Sequence, residues 1–571
     1  MSNLSKENDY EIRIVTSLKD MLNSSVDLYS NRSAFLVKKE KGGKYIEKSY
    51  KQFKEDVDAL GTKLLEMGLK DSKIAVIGEN CYSWIVTYFA TVNGTGVIVP
   101  LDKELSQDEI YNLINTAKCD AVFYTNGYEK YFKDLDIKYK ISMKVYENMP
   151  DDTEGLKWHE LIEEGNKLIK EGDRSYIDTQ IDAEELRILL FTSGTTGAAK
   201  AVMLNHRNLV SNIMDTCKIV EIFPEDRTLS ILPIHHTFES TMGMMLVIYR
   251  GASTAFCEGL KYVSKNLIES QATVLIGVPL IFEAMYDKIW KQAIKSGKAD
   301  TLKKAIKFNK TLKAIGFDMS KRFFKSIYAN FGGKLRLLIT GAAGIDPNVF
   351  RGFEDLGFRI LQGYGLTECS PLVSGTPFYG NTYKKAGSVG PAIRHGEIKI
   401  VNKDESGIGE IAFKGPNVMI GYYNMPEETA KVLKDGWFYT GDLGFVDSEG
   451  WLYITGRKKN VIVTKTGKNI YPEEVESYVN KNKYVEECMI YGSLDDNEDT
   501  LVSVQIIPNY EAIFEEFGKS FDDDEIYCLL KEEISEINQK FPIYKRIRNV
   551  IIRKDNFIKT TTKKIKRHKN I

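Results

Sequence analysis

The chain is short of the features that usually announce a specialised protein. Its seven cysteines, at 81, 119, 217, 257, 369, 488 and 528, are scattered with no CxxC pair. That excludes a thiolate zinc frame and a disulfide scaffold, and it fits reduced thiols in a cytoplasmic protein. No apolar run reaches the roughly 18–20 residues that cross a bilayer; the longest, Thr241 to Tyr249, stops at Arg250. The polar, charged start reads as no secretory leader. Charge of one sign is also missing: 78 Lys and Arg face 79 Asp and Glu, a formal net charge of −1, so nothing global points to nucleic acid. Internal repeats and low-complexity stretches are absent. What is there is an ordinary globular composition over 571 residues, 43% hydrophobic and 27% charged, enough for several domains or one large multi-lobed body.

Residues 49–70 have the spacing of an amphipathic helix, with Leu60, Leu64, Leu65 and Met67 on one broad face and Gly68 near its end. KIAVIGEN, VIVPL and AVFYT then read as short strands separated by helical segments, and TLSILP, STAFC, TVLIGVP, LRLLIT and FRILQGYG repeat the alternation. Alternating short strands and helices predict an α/β fold with largely parallel, helix-flanked sheets. From about residue 385 the texture changes to short strands with Gly, Asp and Asn turns, a small β-rich subdomain over 385–456. After Gly456 comes a compact α+β pattern, with helices near 472–480 and 524–539. The expected domains are 1–456 and 457–571.

Five segments carry unusual residue choices. Ile188 to Phe191 delivers a loop, Thr192-Ser193-Gly194-Thr195-Thr196-Gly197-Ala198-Ala199-Lys200, whose glycines let the backbone approach a ligand and whose hydroxyls and lysine suit a polyphosphate. Its spacing is not that of the Walker loop, which disfavours a P-loop kinase. Gln362-Gly363-Tyr364-Gly365-Leu366-Thr367-Glu368 holds an aromatic ring between glycines, able to stack on a flat base, and ends on a carboxylate able to ligate Mg²⁺. In Tyr439-Thr440-Gly441-Asp442-Leu443-Gly444 the aspartate could accept two hydrogen bonds from a vicinal diol. Gly456-Arg457-Lys458-Lys459-Asn460 leads to Gly467-Lys468-Asn469-Ile470-Tyr471-Pro472, where Pro472 suits a first helical position. The last is the basic tail Lys559 to Lys569. Taken alone, the first loop is as easily a polar surface turn, and each of the other four is more easily a turn, a helix start or a solvated arm.

Together, in this order and at these separations, the five segments resemble the AMP-forming acyl-CoA synthetases of the adenylate-forming superfamily, and within it the bacterial long-chain fatty acid–CoA ligases, over about residues 20–568. The segment Leu232-Pro233-Ile234-His235-His236-Thr237-Phe238-Glu239 joins them in that company. The resemblance implies a large N-terminal body and a small mobile C-terminal domain. It implies that Thr192 to Gly197 and Lys200 hold the ATP β- and γ-phosphates, and that Gly341, Ala342 and Ala343 line the adenine opposite Tyr364. Thr367 would contact the α-phosphate, Glu368 the Mg²⁺, and Asp442 with Arg457 the ribose. Gly363 and Gly365 frame the base site. Lys459 is the implied hinge, Lys564 the adenylation lysine, and Gly467, Lys468, Asn469 and Tyr471 the region that meets coenzyme A. His236 would sit beside the acyl carboxylate, with Phe238 and Gly363 at the wall. The implied cofactors are ATP, Mg²⁺ and coenzyme A. The implied partners are a fatty acid and, at the periphery, a membrane surface, with no nucleic acid.

Two positions depart from the pattern. Ile558 and Lys563 stand where proline and glycine are usual before the adenylation lysine, so the choice between Lys563 and Lys564 rests on spacing, which favours Lys564. Ala199 replaces a usual proline before Lys200. Met242, Met244, Met245, Leu246, Val247, Ile276, Val278, Leu280 and Phe282 are apolar and partly Met-rich; such residues suit an acyl tunnel, though runs of this kind are more often plain core. Activation of another carboxylic acid, transfer to a carrier-protein thiol, and a catalytically silent nucleotide- or acyl-binding protein remain alternatives.

Overall fold

The computed structural model describes residues 11–149, 155–192, 199–464, 468–494, 500–559 and 564–571. The expected phosphate-loop residues Ser193, Gly194, Thr195, Thr196 and Gly197 lie outside them, as do Gly467 and Lys563. The chain forms two compact units. One takes the residues up to 398 with 413–438 and 450–452; the other takes 399–412, 439–449 and 453–571.

The first unit is built on two eight-stranded sheets. In one, Arg359–Gly365, Leu337–Thr340, Val274–Gly277, Arg227–Ser230, Ser253–Phe256 and Ser33–Lys38 run side by side and parallel, with antiparallel strands Leu372–Gly375 and Tyr45–Ser49 at the edges. In the other, Leu186–Thr192, Val97–Leu101, Lys73–Ile77, Ala121–Thr125 and Tyr139–Met143 are parallel, and Lys200–Asn205 folds back antiparallel on Leu186–Thr192. The near-continuous Val, Ile and Leu content of these strands fits sheets covered on both faces.

Helices cover the sheets by their apolar stripes. In Tyr50–Glu66 the hydroxyl of Ser49 accepts from the Gln52 amide as an N-cap, and Phe53, Val57, Leu60 and Leu64 are buried at i, i+4, i+7 and i+11. Gly61 lies on this stripe because a Cβ there would strike the buried Tyr176 ring.

In the second unit, strands Val485–Leu494 and Thr500–Pro508 pair antiparallel, and Ile547–Ile552 adds in parallel. Helices Pro472–Val479 and Asp523–Asn538 pack Val475, Val479, Leu530 and Ile534 against Ile490, Val504 and Ile506. Proline and two glutamates open the first helix, and Asp522 with Glu525 forms a capping box on the second. The short helix Tyr510–Phe517 has no counterpart in the sequence reading.

Candidate active site

In a parallel sheet every strand's carboxyl end points to the same edge, and ligands are taken in the crevice there. The first sheet follows this rule. Arg227–Ser230 leads into Leu232 to Glu239, Leu337–Thr340 into Gly341, Ala342 and Ala343, and Arg359–Gly365 into Thr367 and Glu368. Thr340 pairs with Gln362, which sets Gly341 beside Gly363. A Cβ on Gly341 would stand 3.1 Å from the Phe238 ring and 3.4 Å from the Gly363 carbonyl, so these three line one wall. Tyr364 is half-buried, while Gly365, Ala342 and Ala343 are exposed. Beneath them Thr340 Oγ1 and Gln362 Oε1 are buried with no hydrogen-bond partner among the described residues. Buried polar atoms are ordinarily paired with protein, water or a bound group.

A buried polar chain sets the histidine segment. Asn80, just past the end of Lys73–Ile77 in the second sheet, donates to Ser230 Oγ at 2.8 Å and to the Leu232 carbonyl at 2.6 Å, and it accepts from the Ile234 amide at 3.1 Å. The fully buried Glu239 takes hydrogen bonds from the Ser230 hydroxyl and the Leu232 amide. Desolvation outweighs both and raises its carboxyl from 4.5 to about 8. Gly243 leaves room for that carboxyl, since a Cβ there would lie 2.8–3.0 Å from it. His235 is buried, 3.5 Å from Asp102 Oδ2, and its ring centroid is 4.0 Å from that of His236. Ligand atoms of Asp102, His235 and His236 lie within 4.8 Å of one another, a donor set that suits a borderline divalent cation.

The lysine that ends the phosphate loop reaches the carboxylate expected to meet magnesium through an aromatic ring. Gly421–Tyr422 adds as a short strand to Lys200–Asn205, with Tyr422 opposite Val202. The Tyr422 ring lies 4.9 Å under the Lys200 ammonium, and its hydroxyl donates to Glu368 Oε1 at 2.9 Å. Lys200 also pairs with Glu428 at 2.7 Å. That hydrogen bond first, and Lys431 next, hold the Glu428 carboxyl down to about 2. Thr192 is tied to the same hairpin, donating to the Lys200 carbonyl at 3.2 Å. A buried amide pair supports the turn that carries Thr367 and Glu368. Asn417 donates to the Cys369 and Leu372 carbonyls, and Asn212 donates to Leu372 as well.

The second unit brings Asp442, Arg457 and Lys564 together. Gly441, at φ +70° within the strand Trp437–Val446, allows the local backbone irregularity just before Asp442. The Asp442 amide donates to Thr440 Oγ1, and that hydroxyl donates in turn to the Ile411 carbonyl. Arg457 Nε meets Asp442 Oδ1 at 2.7 Å. Lys564 has its pKa drawn below the ordinary 10.5, first by desolvation, then by the Arg457 charge, with Asp442 opposing. The residue is exposed. Lys459, at Lys458–Asn460, is lowered by the same causes, desolvation first and then Arg457 and Arg567.

The tail bearing Lys564 is itself anchored. One terminal nitrogen of Arg567 donates to both Glu476 carboxylate oxygens at 2.7 Å, and the other donates to the Ile490 carbonyl. The Asn570 side chain closes the turn onto both backbone groups of Ile558. Lys468, Asn469 and Tyr471 lie on a separate hairpin, where Lys468 pairs with Glu405 at 3.1 Å and Tyr471 donates to Asp404 at 2.7 Å.

Sequence reading names the loop, the Tyr364 turn, Asp442, Arg457 and Lys564, but not their supports Asn80, Asp102, Tyr422, Glu428 and Arg567. Asn80 and Asp102 could have been found, because each follows an apolar strand at its carboxyl end. The apolar stretch proposed for the acyl chain divides. Met242, Met244, Met245, Leu246, Val247 and Ile276 are buried in the main core, Phe282 in a second cluster, and Leu280 stands exposed.

The family model described as AMP-binding enzyme matches residues 23–423, and the one described as AMP-binding enzyme C-terminal domain matches 459–571. The chain belongs to the AMP-binding enzyme family. It is similar to Long-chain-fatty-acid–CoA ligase 5 of Rattus norvegicus, 32% identical over 504 residues, covering 81% of this chain and 71% of that protein. It is also similar to Long chain acyl-CoA synthetase 1 of Arabidopsis thaliana, 28% identical over 562 residues, covering 91% and 84%. Among solved structures, ATP-bound MatB from Rhodopseudomonas palustris shares the fold with a TM-score of 0.74 at 23% identity, covering 98% of each chain. The o-succinylbenzoate CoA synthetase MenE of Bacillus subtilis shares it with a TM-score of 0.73 at 18% identity, covering 96% and 97%.

Proposed function

We propose that the protein is an ATP-dependent long-chain fatty acid–CoA ligase. It joins a fatty acid to AMP with release of pyrophosphate and then passes the acyl group to the thiol of coenzyme A. The observation that supports this most is the grouping of Asp442, Arg457 and Lys564, within electrostatic reach of one another, in a chain whose curated relatives carry that activity in their names.

Adenylation brings two anions together, so its barrier is mainly charge repulsion and positioning. Lys200 leaves Glu428 to meet the β- and γ-phosphates. Tyr364 stacks on the adenine across from Gly341 to Ala343, and Thr367 meets the α-phosphate. Asp442, its carboxylate oriented by Arg457, takes the ribose hydroxyls. Glu368 fits Mg²⁺: one oxygen accepts from Tyr422, and a carboxylate keeps further lone pairs for a hard cation. When bound, that ion neutralises charge on the phosphates. Lys564 stabilises the charge that grows at the α-phosphate as the fatty carboxylate attacks, beside His236. The products are acyl-AMP and pyrophosphate, and no protein nucleophile is needed.

Thioester formation needs the opposite of this arrangement, an opening for a long pantetheine arm. Rotation of the 457–571 domain about Lys459 withdraws Lys564 and presents the hairpin with Lys468, Asn469 and Tyr471. The test is pyrophosphate release with ATP, and AMP formation with ATP and CoA, across carboxylates of graded length and polarity. Long straight-chain acids should give the highest kcat/KM. Pyrophosphate release with no carboxylate in the series would end the reading.

A further inference from the structure

The charge of this chain is nearly balanced overall, at −1, but it is not evenly spread. Between residues 288 and 325 there are twelve Lys and Arg against only Asp300 and Asp318, a net charge of +10 in 38 residues. This stretch lies wholly in the first unit and holds the end of helix Pro279–Lys295, the helix Ala299–Ala314, the short helix Ser320–Phe323 and the start of Lys325–Ala329.

Ala299–Ala314 has a distinct inner face. Leu302, Ala305 and Ile306 pack on the core, and buried Asn309 donates to Ser320 Oγ at 2.8 Å and accepts from the Met319 amide at 3.0 Å. Outside, Lys304, Phe308, Thr311 and Ile315 follow one another at i, i+4, i+7 and i+11, and all four are exposed. Lys303, Lys307 and Lys310 form the neighbouring exposed row. The apolar members are not isolated. The Phe308 and Phe323 rings lie 5.9 Å apart, Ile315 and Phe317 flank Gly316 at the end of the helix, and these four side chains are 38–66% exposed. Lys304, Lys307, Lys321 and Arg322 form no ion pair among the described residues.

Apolar side chains clustered in the open mark a contact surface. Set among unpaired cations, on helices whose inner faces are already used, they match the requirements of a bilayer interface, where aromatic and aliphatic groups enter the acyl boundary and lysines meet lipid phosphates. We propose that this helical face docks the enzyme on an anionic lipid bilayer. The inference rests on the fatty acid–CoA ligase reading in one respect only, that the substrate is itself a membrane-borne amphiphile. Helix Pro279–Lys295 starts directly after a strand of the site sheet, so about 25 Å of helix separates the site edge from the basic surface.

The test is co-sedimentation of the full chain with phosphatidylcholine vesicles that contain or lack 30 mol% phosphatidylglycerol, without ATP or CoA. The wild type should partition at least tenfold more strongly onto the anionic vesicles. A lysine near an anionic surface contributes roughly fivefold in partitioning, so K304E/K307E/R322E should lose on the order of a hundredfold or more. F308S/F317S should weaken binding to anionic vesicles with the lysines intact. Each variant should keep the wild-type melting profile and its turnover of a soluble medium-chain acid, but turn over vesicle-borne long-chain acid more slowly. Equal partitioning of wild type onto neutral and anionic vesicles would overturn the proposal, as would undiminished binding by the charge-reversed variant. Self-association that the same substitutions abolish, without vesicle binding, would assign the face to a second copy instead. Turnover of the soluble acid is read separately, so loss of vesicle binding does not disturb the assignment of the reaction.

Discussion

Glu239 is a carboxyl the fold keeps neutral, and replacing it with glutamine isolates the cost of doing so. The folded group titrates at about 8 against 4.5 ordinarily, because burial outweighs its bonds from Ser230 and the Leu232 amide. At ~1.36 kcal/mol per pH unit, that difference is on the order of 5 kcal/mol. The sign follows from which state holds the proton. Below pH 4.5 both folded and unfolded chains carry neutral Glu239 and nothing is lost. Between 4.5 and about 8 only the folded chain keeps the proton, so stability falls as pH rises, and above about 8 the full cost is felt. Glutamine accepts the same two bonds and does not titrate. Glu239→Gln should therefore lie within about 1 kcal/mol of the wild type at pH 5, exceed it by about 3 kcal/mol at pH 7, and exceed it by on the order of 5 kcal/mol at pH 9. The assay is urea unfolding followed by tryptophan fluorescence, because all five tryptophans, at 84, 158, 290, 437 and 451, lie in the first unit. Curves for the two proteins that run parallel from pH 5 to 9 would refute the reasoning.

Other expectations concern the reaction. Tyr422→Phe removes the hydroxyl that orients Glu368; kcat/KM for ATP should fall about tenfold, in line with a hydrogen bond to a charged group, and the magnesium requirement should rise. Glu428→Gln frees Lys200 from a partner it must leave; the KM for ATP should drop by up to roughly fivefold, the scale of a partly exposed pair. Arg567→Met strands the buried Glu476 carboxylate, a loss of about 3–5 kcal/mol, and loosens the turn that carries Lys564; pyrophosphate release should fall far more than thioester formation from supplied acyl-AMP.

Local physics made much of the frame legible. Short continuous apolar runs bounded by turn residues locate the strands at 73–77, 97–101, 121–125 and 337–340, and Pro472 with two glutamates locates its helix to within a residue. Most site residues given a ligand in the proposed reaction sit in short glycine-rich segments, which a chain can display in sequence; His236 and Lys564 do not. Their supports cannot be read that way. Tyr422 reaches Glu368 across 54 positions, Lys200 reaches Glu428 across 228, and Arg567 reaches Glu476 across 91. Periodicity does not announce such pairs, because only strand addition and tail docking create them. The Met242 to Val247 run shows the converse limit: its composition suits a tunnel or a core, and burial in the main cluster places it in the core. Helix Ala299–Ala314 escapes sequence reading because Phe308 and Ile315 stand on its outer face and blur the apolar stripe that would reveal it.

The central claim is that Lys564 serves one half of a two-step ligation. The direct measurement is Lys564→Ala assayed in both halves: pyrophosphate release driven by a long-chain fatty acid and ATP, and acyl-CoA formation from supplied acyl-AMP and CoA. The expected result is a loss of at least a hundredfold in the first with the second within a few-fold of wild type. Equal loss in both halves, or none in the first, would contradict it.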